Sequence, residues 1–267
     1  MYGDLYGFKG YEYLLQIFND MWHKVVVIKR AQIGATDAIA RRDAVFCMQN
    51  PGVKVVYTFP TEFDMKMYVR DRFDDLIRES PMLKQAIVGN PDSVSMKKFG
   101  KSSVIFRGRS TERAAISIPA NRITHDECDF SEQDIMETFR SRLGAAKLKL
   151  SVDQYDAIKK FEEYVNAKAR EINPEIQFGL VCAERKGNHY IIEGGLETRF
   201  STPTIPGFGV SRLYFGTDLD NSSDQMELYV RHPQCGFWQQ PVFGPESIEG
   251  FWAYGEKEPV GRKFYKC

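Results

Sequence analysis

A run of four apolar, β-branched residues, Val25 to Ile28, leads directly into KRAQIGAT at residues 29 to 36, and no other feature constrains the fold of this chain as strongly. A short apolar run without polar alternation reads as a strand buried on both faces, the kind found inside parallel sheets. TDAIARRDAVFCMQN then reads as a helix with Thr36 as candidate N-cap and PGV as its stop, and VKVVYTFPT as a second strand. Strand, tight turn, helix, strand is a βαβ unit. The sheet therefore begins parallel, and ligands are expected beyond the carboxyl ends of its strands. The turn has the frame of a phosphate-binding loop, G-x-x-x-x-G-K-[ST]. Gly34 and Thr36 are in place, while Lys29 stands at the pattern's first Gly and Ala35 at its Lys.

A phosphate cradle needs converging backbone N–H groups, a helix N-terminus behind them, a cation for the phosphates and a hydroxyl for Mg²⁺. Here Gly34 permits the turn, Thr36 supplies the hydroxyl, Lys29 can send its amine back across the loop, and Arg30, Ala31, Gln32, Ile33 and Ala35 complete the backbone. Alone, the stretch reads better as a solvated Lys-Arg pair ahead of a capped helix, so a second pattern is needed. NRITHDECDF supplies it, as a strand ending in acids about 90 residues beyond the loop. Asp126 suits the Mg²⁺ shell, Glu127 suits the base that takes a proton from attacking water, and His125 reads as an in-line structural residue.

The rest of the chain alternates in the same way. YEYLLQIFNDMW and EFDMKMYVRDRFDDLIRES read as helices, and VSMKKF, SSVIFRG and AAISI as short strands, plausible as a meander. From about 147 to 198 the composition changes. SVDQYDAIKKFEEYVNAKAREI is a long helix with Tyr155, Ile158, Phe161, Val165 and Ile172 along one face, followed by strand candidates IQFGLVCAER and HYIIEGG. RFSTPT is again strand-like and GVSRLYFGTD helical.

At 267 residues the chain has room for one large domain, or a domain with an appended subdomain. Hydrophobic residues at 43% and aromatics at 13% exclude a disordered chain. With 36 basic and 36 acidic residues there is no global signature of a nucleic-acid binder, so any contact with phosphates must be local. Five scattered cysteines fit a reducing compartment better than a disulfide framework. No apolar run approaches the roughly 20 residues that span a bilayer, and MYGDLYGFKG lacks the regions of a secretory signal, so no membrane partner is expected.

One further stretch, RFSTPTIPGFGVSRLYFGTDLDNSSDQMELYVRHPQCGFWQQ, completes a pattern that resembles the large terminase subunit of tailed bacteriophages, nearest to its lambda-type branch. That branch has a deviant Walker A motif with the lysine at the start of the loop, as Lys29 stands here. Its PT after the second strand is matched by Pro60 and Thr61, its Asp-Glu Walker B by Asp126 and Glu127, and its S-T-P-T coupling motif by Ser201 to Thr204. Its C-P-x-C-G is HPQCG in this chain. The likeness covers residues 10 to 146 and 199 to 267, and the S-T-P-T to CG run is its most specific part.

The resemblance implies an additional-strand P-loop ATPase with a mainly parallel central sheet flanked by helices. It divides the chain into a first core part at 1–146, a small inserted α/β subdomain at 147–198, and a core completion at 199–267 leading toward a nuclease domain that the chain is expected to stop short of. ATP and Mg²⁺ are the implied cofactors, with Ser201 and Thr202 beside the γ-phosphate. Double-stranded DNA, other large subunits in a ring, the portal and the small terminase subunit are the implied partners, in the cytoplasm of an infected host cell. A ring motor implies a trans-acting arginine, for which Arg109, Arg113 and Arg122 are candidates. The family's adenine-contacting Gln has no counterpart at residues 11 to 13, where only Glu12 stands. His232 and Cys235 have the spacing of half a zinc knuckle with Cys267 as a third ligand, which falls short of a site; loop residues with a buried thiol are the preferred reading. A packaging adaptor or scaffold with a decayed P-loop, suggested by Ala35, and a helicase-like ATPase are the rival readings.

Overall fold

The computed structural model describes residues 14–29, 33–89, 93–110, 118–171, 174–175, 177–204 and 208–215, with four short strands at 230–231, 238–239, 248–249 and 264–265. In chain order the elements up to the Walker B strand are α1 (Leu14–Asn19), β1 (Lys24–Ile28), α2 (Ala35–Gln49), β2 (Lys54–Phe59), α3 (Glu62–Tyr68), α4 (Asp74–Glu79), α5 (Pro81–Ala86), β3 (Ile87–Val88), β4 (Met96–Phe99), β5 (Ser102–Gly108) and β6 (Arg122–Asp126). After them come α6 (Gln133–Arg140), β7 (Lys147–Ser151), α7 (Val152–Arg170), β8 (Glu184–Lys186), β9 (His189–Glu193), β10 (Leu196–Ser201) and α8 (Gly209–Phe215).

A seven-stranded sheet in the order β1-β10-β6-β2-β5-β4-β3 organises the molecule. From β1 to β5 all neighbours run parallel, and β4 and β3 close one edge antiparallel. β10 is the last strand in the chain to join the sheet, yet it inserts between β1 and β6. That is the additional strand that separates the P-loop strand from the Walker B strand, so the architecture expected from the sequence is present. The strands are buried on both faces because helices cover both. On one face Ala38, Ile39, Ala44 and Phe46 of α2 pack with Val55, Tyr57, Val104, Phe106 and Phe200. On the other, Ile135 and Phe139 of α6 pack with Val56 and Ile123. Val55 and Val56 are adjacent and face opposite layers, as the two-residue period of a strand dictates. Each fully buried side chain of this size contributes about 1.5–3 kcal/mol relative to exposure.

Between β6 and β10 the chain forms a separate antiparallel sheet, β7-β9-β8, with α7 beside it. Tyr155 of α7 stacks on Tyr190 of β9, ring centroids 3.6 Å apart.

Several expectations need correction. β7 was not anticipated, although KLKLS alternates buried Leu148 and Leu150 with exposed lysines. IQFGLVCAER was expected as a strand, but only Glu184–Lys186 at its end is one. Upstream, the backbone is claimed by buried polar side chains of α7. Glu162 accepts from Leu180 N (2.7 Å), and Asn166 accepts from Phe178 N (2.6 Å) and donates to Phe178 O (2.9 Å). These bonds replace the ladder partners a strand would need, and Met21 N donates to Leu180 O (2.7 Å) to tie the segment to the core. The helix expected over 62–80 is interrupted by a π-helical stretch, Val69–Phe73, between α3 and α4. SSVIFRG pairs parallel with β2, so it is a core strand with an antiparallel edge rather than the middle of a meander; residues 114–117 of AAISI lie outside the described residues.

Candidate active site

Parallel pairing places three chain segments side by side at one sheet edge. Ile28 of β1 is in register with Ser201 of β10, and Phe200 with Asp126 of β6. Lys29 continues the ladder by one bond, its N–H donating to Ser201 O (3.0 Å). The residues singled out in three distant motifs therefore meet beyond the carboxyl ends of adjacent strands.

Lys29 is only 6% exposed, its ammonium lying 5.7 Å from the Phe200 ring centroid and ion-paired with Glu127 Oε1. The other oxygen of Glu127 accepts from Ser201 Oγ (3.1 Å) and Thr202 N (3.4 Å). One carboxylate thus joins the Walker A lysine to the S-T-P-T segment. Glu127 has φ 47°, the one non-glycine residue with positive φ among those described. A side chain in the left-handed region carries local strain of about 1–2 kcal/mol, held by the surrounding contacts.

Asp126 is 3% exposed. Burial pushes its carboxyl up to about 7; Lys29 opposes that rise, Glu127 adds to it, and the adjacent Thr36 side chain opposes it. Oδ2 accepts from the Tyr57 hydroxyl (3.4 Å), while Oδ1 is buried without a hydrogen-bond partner. An orphaned carboxylate oxygen beside a threonine hydroxyl is costly as it stands and fits a hard cation with oxygen ligands.

The turn before α2 differs from the expectation in one respect. Gly34, not Thr36, is the N-cap, in the left-handed conformation (φ 79°) that glycine adopts freely, and its carbonyl accepts from Ala38 N (3.0 Å). Thr36 sits inside the first turn, where its side chain faces Asp126 instead of capping. Ala35 is buried in the core and Ile33 packs partly against it. Arg30, Ala31 and Gln32 lie outside the described residues, as do His232, Cys235, Cys267 and Glu12. Among the described residues no group of three or more His, Cys, Asp or Glu could hold a metal ion, and the three residues considered for zinc lie outside them.

Two arginine candidates are spent internally. Arg109 is 1% exposed and donates to Thr58 O (2.9 Å), Asp126 O (2.7 Å), Glu127 O (3.2 Å) and Ser131 Oγ (3.0 Å). It fastens the Walker B loop to β2 and cannot reach a neighbouring subunit. Arg122, at the start of β6, lies over the Phe46 ring and shares Asp43 with Arg42. Arg113 lies outside the described residues. A cleft of about 210 Å³ between α1, α2, β7 and α7 has Arg42 and Arg122 in its lining, at the end of β6 opposite Asp126.

Beneath the site runs a buried polar chain that the sequence reading did not find. His125 is in-line and structural, as expected, its Nδ1 2.7 Å from Thr58 Oγ1 and its Nε2 3.5 Å from Glu197. Burial takes its pKa down to about 4, so the ring is neutral at pH 7. Burial opposes ionisation of Glu197, but hydrogen bonding to His125 and the charge of Arg199 bring its carboxyl down to about 2. Asp129, two residues beyond Glu127, was also missed, although the DECD spacing carries it.

The family model for the phage terminase large subunit gpA, ATPase domain, matches residues 12–143. No curated protein matches the sequence. Among solved structures, the Thermus phage P74-26 large terminase ATPase domain is similar over 82% of this chain and 71% of that one, at 12% identity and a TM-score of 0.42. The HK97 bacteriophage large terminase is similar over 79% of this chain and 36% of that one, at 11% identity and a TM-score of 0.44, so this chain spans about a third of its length. The sequence match carries the comparison: over residues 12–143 the chain is similar to the ATPase-domain family of phage terminase large subunits.

Proposed function

We propose that this chain is the ATP-hydrolysing motor domain of a phage DNA-packaging terminase, working in the infected host's cytoplasm to drive double-stranded DNA into a procapsid. The observation that carries the reading is the convergence of Lys29, Glu127 and Ser201 through one carboxylate at the edge of a parallel sheet. In this reading Lys29 and the loop amides from 30 to 36 hold the β- and γ-phosphates, and Thr36 and Asp126 hold Mg²⁺. The metal would neutralise charge developing on the phosphates. Glu127 positions water and takes its proton, and Ser201 and Thr202, bonded to the same carboxylate, respond when the γ-phosphate leaves. Lys29 offsets the missing cation at Ala35, which favours hydrolysis over an adaptor with a decayed loop.

Residues 147–195 are then an insertion, ending before the expected 198 because β10 of the core sheet begins at Leu196; 196–267 complete the core and lead toward a nuclease domain, and ring assembly on the portal with the small subunit is part of the same reading. Zero net charge makes strong DNA binding by one copy unfavourable, whereas several weak basic faces around one channel act together. Of the three arginines considered for trans catalysis, Arg113 is the one retained.

Calorimetry with ATP, with and without Mg²⁺, tests the binding site; no binding would refute it. Specific ATPase activity over a wide concentration series tests the ring. Activity should rise with concentration as subunit contacts supply the trans arginine, and a flat line for a protein that stays monomeric in sedimentation would mean that the catalytic set is complete in one chain.

A further inference from the structure

Two carboxylates on one short loop hold two successive parts of one segment. Glu127 holds Ser201 and Thr202. Asp129 is 7% exposed, and its Oδ2 accepts from Thr204 N (3.0 Å) and Thr204 Oγ1 (3.3 Å), while Oδ1 accepts from Val210 N (2.8 Å) at the start of α8. Its own N–H donates to Ser201 Oγ (3.3 Å). Three donors on one buried carboxylate make a charge-assisted clamp.

The approach of α8 is unusually close. Gly209 has φ +52°, and a Cβ there would lie 2.1 Å from Asp129 Oδ1, so any side chain at 209 would displace the carboxylate. The loop between the two acids is short and braced. Glu127 caps the 3-10 turn Cys128–Phe130 in a left-handed conformation, and Arg109 donates to the carbonyls of both Asp126 and Glu127. α8 is seated by Val210, which packs with Cys128, Met136, Val26 and Ile28. A loop held this tightly moves as a unit: a displacement of Glu127 carries Asp129 with it, and Asp129 carries Thr204 and α8.

Resting on the nucleotide-site reading above, we propose that Asp129 is the positioning residue that transmits the nucleotide state of Glu127 to α8. Asp129 touches neither phosphate nor water in this scheme. Its task is mechanical: it makes α8 the first element outside the site to respond, and Gly209 is the residue that lets it do so.

Hydrogen exchange at individual backbone amides tests this, on the whole chain with and without Mg²⁺ and adenosine 5′-O-(3-thiotriphosphate). In the unmodified protein, protection should change together at Thr202, Thr204 and Val210 on adding the analogue. In Asp129→Asn, whose amide nitrogen cannot accept a bond, the change at Thr202 should persist and that at Val210 should vanish, with analogue affinity within about threefold of wild type. ATP turnover should fall about tenfold at nearly constant KM; a smaller folded fraction would lower turnover in the same way, so the retained Thr202 response and analogue affinity are the readouts that exclude a loss of folding. Gly209→Ala should reproduce the uncoupling with Asp129 intact, which guards against a folding defect peculiar to Asp129→Asn. A response at Thr202 without one at Val210 in the unmodified protein, or a Val210 response retained in Asp129→Asn, would overturn the role of Asp129 alone. No response to the analogue anywhere would overturn the nucleotide site, and this role with it.

Discussion

Replacing Glu127 by alanine and, separately, by glycine separates the backbone of the site from its chemistry. Both variants lose the carboxylate, and both leave the buried Lys29 ammonium without its ion-pair partner, so that cost cancels between them. They differ at the backbone. At φ 47° a Cβ costs about 1–2 kcal/mol, which alanine bears and glycine does not. Glycine gives back about 0.5–1 kcal/mol through the greater freedom of its unfolded chain. The balance favours Glu127→Gly by roughly 0.5–1 kcal/mol, or about 1–4 °C in Tm for a chain of this size. Urea unfolding of the two variants side by side should show a higher midpoint for glycine with an unchanged slope. Both should lose ATP turnover by at least about a hundredfold, the usual scale for removing a general base, and Glu127→Gln should lose it while still binding ATP and Mg²⁺. Equal midpoints, or a more stable alanine variant, would show that residue 127 is not held left-handed and that the aim of its carboxylate does not come from the backbone.

Lys29→Ala should abolish ATP hydrolysis while Arg30→Ala keeps much of it, because Ala35 leaves Lys29 as the cation of the cradle; near-wild-type turnover in Lys29→Ala would refute the variant Walker A reading. Glu197 gives a pH test. Its carboxyl is depressed to about 2 from an ordinary 4.5, so its stabilising effect is complete above 4.5 and is lost as pH falls toward 2. Glu197→Gln should therefore be less stable than wild type at pH 7, and the gap should shrink measurably by pH 3; a gap independent of pH would mean that Glu197 is not ionised in the core.

The legible parts of this protein are those in which local pattern and global fold agree. VVVI before KRAQIGAT, and the acids closing RITHDE, announced a parallel sheet with a site at its edge, since burial on both faces demands a continuous apolar run and helix-capping turns follow such strands. The extent of α2 was readable for the same reason, but its cap was not. Thr36 has the chemistry of an N-cap, and only the approach of Asp126 shows that its side chain is used elsewhere. IQFGLVC had the composition of a strand but no partner strand, because Glu162 and Asn166, polar residues on an exposed-looking helix, took its backbone groups. Arg109 and Arg122 read as available cations; burial and internal hydrogen bonds removed them from the surface. The sequence by itself determined which residues have the chemistry: a lysine, two carboxylates and two hydroxyls in separate motifs. The additional strand was implied only by the family resemblance; the tertiary structure shows that it is β10, set between β1 and β6, and that this brings Ser201 onto Glu127 and Thr204 onto Asp129. Pairing between strands about 70 residues apart depends on which edges are left open once the other strands have docked, and no local pattern of residues encodes that.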